Sequence, residues 1–153
     1  MTGAGGSGKT RLAAQLCHDL SSIGWYAGFL PSTVDMTDEE LSALTEVTTE
    51  LLVVVDYAEE ARRGLVARVV RKLRARHSPT RIVLTARGAD TWWEEFREEA
   101  EQDGTPLSNT LSLSIRGKQK VEREPWFFGR MYRREVQQFA DTLNMAVPTD
   151  LSL

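Results

Sequence analysis

Gly3-Ala4-Gly5-Gly6-Ser7-Gly8-Lys9-Thr10 matches the pattern G-x-x-x-x-G-K-[ST] at every specified position. The pattern has a physical basis. Glycines at 3, 5, 6 and 8 let successive backbone N–H groups curl around a polyphosphate with no Cβ in the way, and a helix starting inside the loop adds its partial positive charge. Gly3, Gly5, Gly6, Ser7 and Gly8 form the cradle, Lys9 reaches the β- and γ-phosphates, and the Thr10 hydroxyl ligates Mg²⁺. A glycine-rich start can also be plain disordered chain. Here, however, a helix-period segment over residues 9–20, with Leu12, Ala13, Leu16, Cys17 and Leu20 on one face, begins where a phosphate loop (P-loop) requires it. In an empty loop Lys9 is expected to face solvent.

Outward from the loop, apolar runs alternate with helix-period segments, the pattern of a parallel sheet with crossover helices. Residues 25–30 read as a short strand stopped by Pro31. Thr37 and Glu40 have capping-box spacing at the head of an acidic segment, residues 37–46, that reads as a short helix or a mobile loop. Leu51-Leu52-Val53-Val54-Val55 is continuously apolar and stops at Asp56, as suits a strand buried on both faces. Leu65, Val66, Val69, Val70 and Leu73 predict a helix over 61–77, followed by a buried strand over 81–86 and a helix over 90–102 capped by Asp90. Asp103-Gly104-Thr105-Pro106 reads as a turn, residues 111–115 as a weaker alternating strand, residues 117–124 as loop and residues 126–143 as a further helix.

The composition agrees with one domain. The chain has 153 residues, of which 41% are hydrophobic, enough for a single core. A net charge of −3, from 19 basic and 22 acidic residues, creates no global field toward nucleic acid or an anionic membrane. No apolar stretch approaches the roughly 20 residues that a bilayer span needs, and neither a secretion signal nor more than one cysteine is present, which points to the cytoplasm. The eight basic residues from Arg62 to Arg81 are spaced around an amphipathic helix and read as a solvated face, so nucleic acid is not expected. Trp92 and Trp93, with Phe96 nearby, read as packing residues. His18 and His77 lack partners at zinc spacing, and Cys17 reads as an inert core thiol.

Two further places carry chemistry. Asp56, at the end of a buried strand, stands where a Walker B aspartate accepts hydrogen bonds from metal-bound water or from the Thr10 hydroxyl, although an aspartate there can equally be a turn-former. Thr10 and Asp56 are thus the candidate metal residues. Glu59 and Glu60, three and four positions on, are candidates to orient an attacking water, Glu59 ahead of Glu60; the alternative is the acidic first turn of the next helix. Arg87 ends the strand of residues 81–86, where it can contact a γ-phosphate or instead pair with Asp90 or Glu94 on the surface.

The texts GAGGSGKT, LLVVVDYAEE and RIVLTARGADTWW, in this order, resemble the STAND class of signal-transduction ATPases, AAA+ relatives that include the NACHT and apoptotic-ATPase groups. The resemblance covers residues 3–93. It implies that Asp56, Glu59 and Glu60 are the Walker B acids, and that Thr85 and Arg87 end the sensor strand. It also implies an α/β P-loop NTPase three-layer sandwich whose first strand, the one leading into the loop, is missing, so that residues 1–153 form a single incomplete domain, a fragment of a larger protein. The activity implied is Mg-ATP binding and slow hydrolysis as a switch, with a resting ADP form and an ATP form that assembles as a homo-oligomer. The family order further implies a gap beside the strand of residues 81–86, on the side away from Leu51–Val55.

No guanine-reading N-K-x-D motif occurs, which tilts the nucleotide toward ATP. Two rivals stay open. One is a P-loop kinase for a small molecule, which would need an arginine-rich lid; residues 116–134 have the charge but no recognisable lid pattern. The other is a degenerate fragment that no longer binds nucleotide.

Overall fold

The computed structural model describes residues 1–32, 36–61, 64–89, 91–104 and 107. The expected Asp90 cap, the Thr105-Pro106 half of the turn, the strand of residues 111–115, the loop of residues 117–124 and the helix of residues 126–143 lie outside the described residues.

The fold is α/β, built on a small parallel sheet. Helix α1 (Lys9–Ser22) is followed by β1 (Tyr26–Leu30), α2 (Asp38–Ala43), β2 (Leu51–Val55), a 3₁₀ turn (Ala58–Glu60), α3 (Leu65–Leu73), β3 (Thr80–Leu84) and α4 (Thr91–Gln102). The strand order is β1-β2-β3, with both pairings parallel. Val55 stands opposite Leu30 on one side and Leu84 on the other.

The central strand β2 is buried throughout because both of its faces are covered by helices. Leu52 and Val54 pack with Ala13, Leu16, Cys17 and Leu20 of α1. Leu51, Val53 and Val55 face the other way, against Leu41 of α2, Leu65, Val66 and Val69 of α3, and Phe96 and Ala100 of α4. Each buried Leu or Val contributes roughly 1.5–3 kcal/mol relative to exposure, so this one strand anchors both halves of the core.

The expected gap beside β3 is partly taken up by the first residues of the chain. Thr2 forms an isolated parallel bridge with Ala86. Ala86 N–H donates to the Met1 carbonyl at 2.9 Å and Gly3 N–H to the Ala86 carbonyl at 3.2 Å. The chain therefore runs along the end of β3 directly into the glycine loop.

Several local signals are realised in detail. Thr37 Oγ1 accepts from Glu40 N–H at 3.2 Å while the Glu40 carboxylate accepts from Thr37 N–H at 2.7 Å, so the acidic segment is helical at its start. The helix expected over 61–77 is shorter, Leu65–Leu73, because Gly64 adopts a left-handed φ of 75° that cannot continue a helix backward. Glu59 and Glu60 accordingly lie in a separate 3₁₀ turn and not in the first turn of α3.

The basic side chains of α3 lie at the surface, as expected of a solvated face, but are also hydrogen-bonded. Arg68 donates to the Met36 carbonyl and to Asp38, Lys72 to Ser42 Oγ, Arg71 to Asp103 and Arg74 to the Gly104 carbonyl. Just beyond α3, Arg76 donates to the carbonyls of Leu44 and Thr49 and to Thr80 Oγ1. These side chains tether the loops that flank α2 and α4, because long donors can reach carbonyls that loops leave unpaired. The Arg68 hydrogen bond also holds the exposed Asp38 carboxyl below the usual carboxylate range. Trp92 and Trp93 pack against the core, and Trp92 Nε1 donates to the Gly88 carbonyl at 2.8 Å, which uses the indole for structure. No described helix is long and apolar enough to cross a membrane.

Candidate functional site

The glycine loop turns between the end of β3 and the start of α1. Ser7 N–H donates to the Ala4 carbonyl at 3.2 Å, which closes the first bend. Gly6 and Gly8 have φ of 75° and 91°, in the left-handed region where a side chain is strained, so glycine is required there by the backbone itself. A Cβ on Gly5 would meet no protein atom within 4 Å, so nothing inside the protein demands glycine at that position. Gly8 is also the N-cap of α1 and provides no side-chain cap, and the first turn of α1 carries no acidic residue. The positive end of the helix dipole thus faces the loop without a capping side chain, the arrangement that favours an anion.

Lys9 does not face solvent. It is only 7% exposed, and its Nζ donates to the Gly3 carbonyl at 2.6 Å, to the Ala4 carbonyl at 3.1 Å and to Ser7 Oγ at 3.5 Å. An ammonium needs acceptors, and the carbonyls of a tightly curled loop are the nearest ones. The Met1 amino group lies on the same side and donates to the Leu84 carbonyl at 2.7 Å; burial, and then the Lys9 charge, lower its pKa below the ordinary value.

Thr10 and Asp56 come together across 46 residues of sequence. The Thr10 hydroxyl donates to Asp56 Oδ2 at 2.8 Å. The other carboxylate oxygen, Oδ1, accepts a hydrogen bond from the Thr85 hydroxyl. The register brings this about: Val55 is opposite Leu84, so the next residues out from the sheet, Asp56 and Thr85, are neighbours. Among the described residues no three His, Cys, Asp or Glu side chains gather as a metal cage, so the oxygen donors here are one hydroxyl and one carboxylate.

Glu59, Glu60 and Arg87 form a second group beside this one. Glu59 Oε1 accepts from the Arg87 backbone N–H at 2.9 Å, and Glu59 Oε2 is buried with no hydrogen-bond partner. Glu60 Oε1 is 3.1 Å from Arg87 Nη2 in an exposed ion pair. The guanidinium also lies 5.7 Å from the centroid of the Tyr57 ring. Among the described residues Arg87 pairs with Glu60, while the expected alternative Glu94 meets Arg97; Asp90 lies outside the described residues.

Lys9, Thr10, Asp56, Glu59, Glu60 and Arg87 are legible in the sequence, and Thr85 only as an end of the sensor strand that the resemblance implies; the contact of Thr85 with Asp56 and any part for Tyr57 are not. A threonine ending an apolar strand carries no local signal of what it touches. A tyrosine after an aspartate gives no hint of a positive φ.

Comparisons of the chain with family models, with curated proteins and with solved structures find no match.

Proposed function

We propose that this chain is the nucleotide-binding module of a STAND-type signal-transduction ATPase, a cytoplasmic switch that binds Mg-ATP, hydrolyses it slowly and assembles as a homo-oligomer in its ATP form. The observation that carries this reading is the meeting of Thr10 and Asp56 at the head of a glycine loop that leads into an uncapped helix. The same proposal includes the finer fold, a P-loop NTPase sandwich in which the strand entering the loop lies beside β3; the Thr2–Ala86 bridge supports it.

The residues fit the nucleotide and its metal. Hydroxyl and carboxylate oxygens are the ligand types that hard Mg²⁺ accepts, and Thr10 and Asp56 offer one of each. Bound there, Mg²⁺ would offset the charge of the β- and γ-phosphates. The Thr10 hydroxyl can offer a lone pair to the metal while its hydrogen stays on Asp56, so this contact need not be broken. Lys9 behaves differently: its ammonium must exchange the Gly3 and Ala4 carbonyls for phosphate oxygens.

Of the two acids, Glu59 is better suited to orient water. Its Oε2 is buried and unpartnered, whereas Glu60 is exposed and already bound to a guanidinium. An oxygen without a partner can accept a proton from water; one neutralised by arginine is a weaker base. Arg87 reads the γ-phosphate by leaving Glu60 for it.

Calorimetric titration with Mg-ATP, followed by product analysis, tests the reading. Expected are saturable binding, Mg²⁺ dependence and release of inorganic phosphate without an acceptor. Transfer of phosphate to a small-molecule acceptor would favour the kinase instead, and absence of binding would favour the degenerate chain.

A further inference from the structure

We infer that Thr85 is the positioning residue of the Asp56 carboxylate, setting which oxygen faces the Mg²⁺ site; this rests on the nucleotide reading above. Thr85 follows β3 directly and is only 1% exposed, so its hydroxyl acts on protein groups and not on a ligand. It donates to Asp56 Oδ1 and accepts from Tyr57 N–H at 3.3 Å. The directions are forced: an amide N–H only donates and an ionised carboxylate only accepts, so the one hydroxyl hydrogen belongs to Asp56.

This matters because the terminal torsion of an aspartate is broad and twofold. Sequence neighbours do not fix it. With Oδ1 held by Thr85, Oδ2 is left for Thr10, and the two oxygens acquire different tasks. Thr85 supports the same carboxylate a second time through the backbone. Its N–H donates to the Val55 carbonyl at 3.0 Å and its carbonyl accepts from Ala58 N–H at 2.8 Å, so the turn carrying Asp56 is bound on both sides. Within that turn Tyr57 has φ of 52°, the only positive value of a non-glycine among the described residues, and its N–H is the group that the Thr85 hydroxyl accepts from.

A hydroxyl that orients a metal-binding carboxylate has a distinct signature: it governs the metal requirement and leaves metal-free binding alone. The experiment titrates Mg²⁺ into the protein with a non-hydrolysable ATP analogue and repeats the analogue titration in EDTA. Loss of such an outer partner typically weakens metal affinity by about 10- to 100-fold, and Thr85→Val is expected to raise the half-saturating Mg²⁺ by that factor. Analogue binding in EDTA should be unchanged, and Thr85→Ser, which keeps the hydroxyl, should restore the wild-type Mg²⁺ requirement. If Thr85→Val does not fold, Thr85→Ser and Thr85→Cys make a pair of similar size that differs in donor strength, and the cysteine variant should need more Mg²⁺.

An unchanged Mg²⁺ requirement in the valine or cysteine variant overturns the inference. So does an equal loss with and without metal, which would make Thr85 merely structural. A wild-type chain that binds no Mg-ATP is a different outcome, which removes the nucleotide reading itself.

Discussion

Glu60 holds Arg87 at 3.1 Å in a pair that is exposed on both sides, 60% for the arginine side chain and 52% for the glutamate. The same arginine stands over Tyr57, and its backbone N–H is bound by Glu59. Arg87, three residues beyond β3, is therefore tied to Tyr57, Glu59 and Glu60 in the turn after Asp56. A residue so placed can couple what occupies the glycine loop to the acids beside it, provided that the guanidinium can leave Glu60.

Removing the guanidinium and removing its partner should have opposite effects. Arg87→Ala is expected to weaken ATP by roughly ten- to a hundredfold, the value of about 1.5–3 kcal/mol for a charged hydrogen bond, and to leave ADP nearly unaffected. Glu60→Gln frees the arginine from an exposed pair worth about 0.2–1 kcal/mol, so ATP should tighten by at most about fivefold and at least about 1.4-fold. Paired titrations of an ATP analogue and ADP decide it: equal losses for both nucleotides in Arg87→Ala would mean that the arginine is structural.

The two glutamates separate by their oxygens. Glu59→Gln is expected to reduce the hydrolysis rate by about 10²- to 10⁴-fold, the usual worth of a general base, while ATP affinity is retained. Glu60→Gln should hydrolyse at close to the wild-type rate. Single-turnover measurements with both variants would reverse the assignment if the larger defect fell on Glu60.

Lys9→Ala should abolish Mg-ATP binding and also destabilise the empty protein. The ammonium holds two loop carbonyls together, and its loss is expected to cost about 1–3 kcal/mol of unfolding free energy. Denaturant unfolding of the nucleotide-free variant measures this. An unaltered midpoint would place the lysine in solvent, as a reading of the sequence alone expects.

Cys17 reports on the packing of α1. It is buried in the cluster with Leu52, Val54 and Val83, and desolvation raises its thiol pKa above the ordinary range. The folded chain therefore keeps the thiol protonated where the unfolded chain starts to ionise, and stability should fall as pH rises through the unfolded thiol's range while staying unaffected below it. Thiol labelling near neutral pH should be slow in the native protein and fast in denaturant. Fast native labelling would show that α1 is not seated on the sheet.

Features whose cause is local were legible in the residues. Five consecutive apolar residues, four of them in a β-favouring Leu-Val-Val-Val run stopped by an aspartate, suit a strand covered on both faces, and Leu51–Val55 is one. Thr37 and Glu40 cap their helix because both partners lie within one turn. The glycines at 6 and 8 mark a loop that bends through left-handed backbone before a helix.

Most of what the side chains around that loop touch depends on long-range packing. The Thr10–Asp56 contact was legible from the glycine-loop motif, but Asp56 meets Thr85 because two parallel strands are paired with Val55 opposite Leu84; a shift of one residue would separate them. The same is true of Arg87 with Glu60, of Lys9 with the loop carbonyls, and of the arginines after Gly64 with the loops that they tether. Hydrophobic periodicity specifies which face of an element is buried, but a polar contact between residues distant in sequence depends on strand register and on which unpaired backbone groups lie within reach, and neither is encoded in any local pattern.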